Sequence, residues 1–147
     1  MTDVYDRSER FELLAACDGE TLAGLADGVL DCGTRLRVLQ EPTPRLVMQR
    51  VVEPVEKRRF NLGEVVVTAA EVELDGEKGF AMVPGKEERA ALSGAILDAA
   101  VAAGHDLTDR IAGELRAAAA ERDGRRRRRW AESRATAVEF EAMEDEG

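Results

Sequence analysis

The dipeptide Asp75-Gly76 constrains this chain more than any other feature. A two-residue type I′ hairpin turn needs positive φ at both central positions, which Asp tolerates and glycine adopts freely. The sequence before it alternates as a strand does. Val66, Thr68, Ala70, Val72 and Leu74 fall on one face. On the other face Val65, Val67 and Ala69 give way to Glu71 and Glu73, which predicts a strand buried first and half-exposed later. A return strand is expected near Gly79 to Val83, closed by Pro84-Gly85.

Two helices are expected before this hairpin. Phe11, Leu14, Ala15 and Asp18 mark a short amphipathic stretch, and Leu22, Leu25, Ala26, Val29 and Leu30 follow the stripe of a helix face. Asp18 is placed to cap the second helix and Gly33 to stop it, while Gly24 and Gly28 inside it leave room for close packing. The period then changes to two. Arg35 to Gln40 and Arg45 to Val52 read as strands separated by a turn at Glu41-Pro42-Thr43-Pro44. Pro54 should end the second of them or mark it as an edge strand. The charged link Glu56-Lys57-Arg58-Arg59 then leads to a turn at Phe60-Asn61-Leu62-Gly63.

After the hairpin, Leu92, Ala95, Ile96, Ala99 and Ala103 share one side of a helix that Gly104 should stop. Asp106 or Thr108 can cap a further helix bearing Leu107, Ile111 and Leu115; Gly124 is expected to interrupt it before a second piece runs through Trp130. These elements predict an α+β fold: two N-terminal helices, an antiparallel sheet with a central hairpin, and C-terminal helices packed on it. The whole chain, residues 1–147, reads as one domain, with about 139–147 a frayed acidic tail.

Charge narrows the function. Thirty acidic residues oppose 21 basic ones, a net charge of −9, and only Lys57, Lys78 and Lys86 among the bases are lysine. That balance resembles proteins of salt-loaded cytoplasms, where concentrated salt screens the repulsion. It argues against a DNA-binding protein, because phosphate contacts need positive surface. No apolar run approaches the roughly 18 residues that span a bilayer, and the start lacks the order of a signal peptide, so a cytoplasmic location is expected. Cys17 and Cys32 have no metal or redox spacing, and the one histidine, His105, supplies no ligand cluster; both cysteines are expected to pack as small hydrophobes.

Two segments carry charge in a pattern that invites a ligand. At Gly85-Lys86-Glu87-Glu88-Arg89 a helix begins, and Lys86 and Arg89 could assist an anion there. Glu87 and Glu88 occupy that first turn, however, and satisfy the helix dipole themselves. The run Arg125 to Arg129, followed by Trp130, could hold a triphosphate, contact nucleic acid or grip an acidic partner, with Arg125, Arg126, Arg128 and Arg129 as candidate anion contacts. Five successive helical residues point around more than a full turn, so they cannot all face one ligand. The favoured reading is a solvated helix or a partner surface, its arginines paired with Glu121, Asp123, Glu132 and the acidic tail, and Trp130 covering an apolar side. No nucleophile–base pair stands out, and no catalytic or metal-binding set is expected.

The block Phe60-Asn61-Leu62-Gly63-Glu64-Val65-Val66-Val67-Thr68 continues through Ala70 to Leu74, then Gly79, Val83, Gly85-Lys86-Glu87 and Asp98-Ala99. It resembles the G subunit (PhnG) of the carbon–phosphorus lyase core complex, and Thr136, Val138, Phe140 and Met143 are similar to that family's C-terminal pattern. The chain departs from the family at Ala90, often His, at Leu92, often Glu, at Glu141 and Ala142, and at Glu144-Asp145-Glu146. The resemblance implies a hetero-oligomer with the H, I and J subunits, which makes α-D-ribose 1-methylphosphonate 5-triphosphate from ATP and methylphosphonate. ATP would be substrate of the complex, and the chain itself would carry no cofactor and do no chemistry. The motif residues Phe60, Asn61, Gly63, Glu64, Thr68, Gly85, Lys86, Asp98, Thr136 and Phe140 become candidates for the partner interface. A stand-alone nucleotide- or RNA-binding module using the Arg-rich helix is the alternative, and an independent carboxylate enzyme a third.

Overall fold

In a computed structural model the backbone is described for residues 6–52 and 59–145, and side chains for 6–48 and 63–133. Helix α1 (Arg7–Ala16) and helix α2 (Gly19–Asp31) come first, then strands β1 (Leu36–Val52), β2 (Arg59–Leu74) and β3 (Glu77–Pro84). Helices α3 (Glu88–Ala102) and α4 (Thr108–Asp145) complete the chain. The sheet is antiparallel in the order β1-β2-β3, so the α+β class is as the sequence predicts.

Local chemistry sets the boundaries. The side chain of Asp6 accepts from the Glu9 N–H to start α1, and that of Asp18 accepts from the Thr21 N–H at 2.8 Å to start α2. Gly33 ends α2 at φ +78°. Asp75 and Gly76 both hold positive φ, as the hairpin turn requires. The Asp75 carboxylate also accepts from the Arg35 N–H at 2.8 Å and so pins the start of β1 to the turn.

Three expectations about the sheet and the last helix are corrected. Glu41 to Pro44 is no turn: β1 runs unbroken through both prolines. As an edge strand it tolerates a missing N–H, and register shifts near Leu39 and Glu41 absorb the misfit. Phe60 to Gly63 belongs to β2, where Gly63 at φ +123° sits beside a further register shift against β1. Gly124 does not interrupt α4, which is a single helix of 38 residues, about 57 Å long. One glycine costs about 1 kcal/mol, and the alanines and arginines on either side are strong helix formers. The expected stop at Pro54 and the link Glu56 to Arg58 lie outside the described residues.

The core lies between the sheet and the helices. Ala70, Val72, Leu74, Ala81 and Val83 face α3, and α2 covers α3 from the other side through Leu22, Leu25, Ala26 and Val29. Buried on nearly all sides, α3 is built of small residues, Ala90, Ala91, Gly94, Ala95, Ala99 and Ala100 among them. Its approach to β3 is close enough that a Cβ on Gly79 would collide with the carbonyl oxygen of Ala95 and lie 2.6 Å from the Ala99 Cβ. Helix α4 contributes Ile111, Ala112 and Leu115, then leaves the core, so Trp130 is 67% exposed rather than covering an apolar side.

Burial along β2 meets the expectation only in its second half: Glu71 and Glu73 are half-buried as expected, but the strand does not begin buried. Residues 63–65 are exposed, whereas Thr68, Ala70, Val72 and Leu74 are buried. The reason is the reach of the neighbours: β3 pairs with β2 only from Val67 to Leu74. Beyond Val67, β1 and β2 continue as a two-stranded ribbon, from Leu46↔Val66 out to Val52↔Arg59.

Candidate functional site

The family-motif residues fall in the interior, along the ribbon, at the start of α3 and on the outer part of α4. Asp98, on α3, is fully buried, and its carboxylate gathers three elements. Arg10 Nε of α1 donates to it at 2.6 Å, Arg7 at 3.2 Å, and the backbone N–H of Phe80 on β3 at 2.9 Å. Arg10 is itself buried, whereas the Arg7 side chain is about half exposed. Phe11 meets Phe80 edge-to-face beside this knot, and Arg7 lies over the Phe11 ring. Every acceptor site used here opposes a donor, so the carboxylate acts as a tie between helices and sheet.

Thr68 makes a second tie. Its hydroxyl donates to the Gly85 carbonyl at 2.6 Å and accepts from the Glu87 N–H at 3.0 Å. The cap of α3 thus comes from β2, because Glu87 makes no side-chain cap bond. Gly85, at φ +82°, makes the turn into that cap. Lys86 and Arg89 stand exposed at the start of α3.

On the ribbon, Gly63 and Glu64 are exposed beside an apolar set: Leu46 (65% exposed), Val47, Met48 and Val65. Leu46 and Met48 point to one face, while Val47 and Val65 pair directly on the other. Phe60 and Asn61 lie farther along the same strand, and Thr136 and Phe140 on the outer part of α4; their side chains lie outside the described residues.

The arginine run sorts by helical period. Arg125, Arg126 and Arg129 line one groove together with Arg122 and Ala16, while Arg127 and Arg128 do not line it. Arg122 escaped the sequence reading because Asp123 and Gly124 separate it from the contiguous run; spacing by three and four would have found it. Among the described residues neither Arg122 nor any of Arg125 to Arg129 makes the expected ion pair with Glu121 or Asp123, and the side chains of the acidic tail lie outside the described residues.

Neither cysteine joins these groups. Burial, reinforced by the Asp18 charge, pushes the Cys17 thiol up to about 11, so it stays protonated at neutral pH; Cys32 is exposed. Among the described residues no three His, Cys, Asp or Glu side chains lie together as a metal site, and no helix is long and apolar enough to cross a membrane.

The motif residues Asp98 and Thr68 thus knot an α+β scaffold from inside, beside an exposed apolar ribbon. The model of one family, described as phosphonate metabolism protein PhnG, matches residues 5–144. The chain belongs to the PhnG family and has a role in phosphonate metabolism. No curated protein matches the sequence.

Proposed function

We propose that the chain is a structural, partner-organising subunit of the carbon–phosphorus lyase core complex, working in the cytoplasm with the H, I and J subunits. In this reading the complex converts ATP and methylphosphonate to α-D-ribose 1-methylphosphonate 5-triphosphate, and the G subunit holds its partners in place. The observation that carries the proposal is the ribbon of β1 and β2. A two-stranded ribbon is marginal in water by itself. This one exposes Leu46, Val47, Met48 and Val65 across both faces, beyond the reach of β3 and α3. Large apolar side chains grouped in this way mark a surface that another chain covers.

Co-expression with H, I and J homologues from the same source tests the reading. The four chains should purify together, and Leu46→Ser with Met48→Ser should release this subunit while leaving its own fold intact. A chain that purifies alone and monomeric in high salt, with no partner retained, would refute it.

A further inference from the structure

The groove between the end of α1 and the middle of α4 has a chemistry that the subunit role does not use. It is open, about 360 Å³, and lined by Arg122, Arg125, Arg126, Arg129 and Ala16. Four guanidinium groups on one helix face, from Arg122 to Arg129, span about 10 Å along the axis. None of them has an ion pair among the described residues. Like charges packed this closely repel one another, and an anion between them relieves the repulsion. Guanidinium forks match the oxygen pairs of phosphate groups, each fork donating two parallel hydrogen bonds.

We propose that this groove binds a short linear oligophosphate. The size follows from charge. Residues 122–129 hold six arginines and one aspartate, a local charge of +5, so the remainder of the chain carries −14 of the total −9. A long polyanion such as RNA, or an extended acidic polypeptide, would run past the patch along a chain whose remainder is net negative. A compact anion with three or more charges stays within it. Trp130 does not line the groove, which therefore lacks the stacking platform a nucleobase would use. The site is independent of the subunit reading, and its failure would leave that reading untouched.

The test titrates the full chain with inorganic triphosphate by calorimetry at low salt, with inorganic monophosphate as comparison. Two variants carry the decision. Changing Arg122, Arg125, Arg126 and Arg129 to Gln removes the groove's charge; changing Arg127 and Arg128 to Gln removes charge from the rest of the same helix segment. A third variant, Arg125→Gln with Arg129→Gln, matches that second one in net charge. Circular dichroism confirms the helix in each. Triphosphate should bind at least about tenfold more tightly than monophosphate, and both groove variants should weaken it by about tenfold or more. The Arg127/Arg128 variant should stay within about twofold. Equal losses in the two charge-matched variants would show unspecific attraction and overturn the site. So would absence of triphosphate binding, or tighter binding of an RNA oligonucleotide or a polyglutamate peptide through the same four arginines.

Discussion

Replacing Asp98 with Ala should destabilise the chain by about 4 kcal/mol. The carboxylate is fully buried, and Arg10, its partner at 2.6 Å, is 4% exposed, so water cannot take the place of the missing oxygen atoms. Breaking a buried pair by removing one member costs about 3–5 kcal/mol, because the surviving charge stays in a poorly polarisable interior. The Phe80 N–H loses its acceptor as well, which by itself costs about 1–3 kcal/mol. The two losses share one site and do not add fully. For a chain of this length about 4 kcal/mol corresponds to a fall in melting temperature of about 8–16 °C. Urea denaturation followed by far-UV circular dichroism measures the change. Arg7→Ala gives the contrast: its partner is the same carboxylate, but its half-exposed side chain should contribute no more than about 1 kcal/mol. A double-mutant cycle between Arg10→Met and Asp98→Leu should return a coupling of at least about 2 kcal/mol. If Asp98→Ala costs less than about 1 kcal/mol, or the two cycle mutations simply add, the account of Asp98 as a tie is wrong.

Gly79→Ala should destabilise by about 3 kcal/mol or more, since its new methyl meets the Ala95 carbonyl and α3 must lift from β3; chemical denaturation with loss of near-UV signal would show it. In the native protein a thiol reagent should modify Cys32 quickly and Cys17 only after unfolding, and two fast thiols in the folded state would contradict the burial of Cys17. Asp18→Ala should cost about 1 kcal/mol at neutral pH through loss of the α2 cap. The Thr21 N–H and hydroxyl hold the Asp18 carboxyl below its ordinary value near 3.8. Its contribution is therefore fully present above that value and disappears as pH falls through the lowered one. Melting curves of wild type and variant should converge in acid.

The parts of the fold that were legible in the sequence are those whose causes are local. The Asp75-Gly76 turn, the Asp18 cap and the Gly33 stop each depend on residues within a few positions, and the structure places all three as read. The unbroken course of β1 was not legible, since Pro42 and Pro44 look like a turn until an edge strand is known to carry them. Asp98 was visible as a motif residue but not as a buried anchor, for Arg10 and Arg7 lie 88 and 91 positions away. The groove arginines were partly legible. A contiguous run draws the eye to Arg127 and Arg128, whereas the helix groups Arg122 with Arg125, Arg126 and Arg129.

Strand β2 crosses from a covered layer to a bare ribbon without a break, and this gives one continuous strand two thermodynamic environments. Near Val72 each side has a hydrogen-bonded neighbour and α3 lies above; at Val65 only β1 is paired. Amide exchange in the isolated chain should therefore quicken steadily from Leu74 toward Val65, opening locally at one end long before the other. The slow end reports global unfolding. The fast end reports occupancy, because any chain that covers the ribbon must slow those amides first.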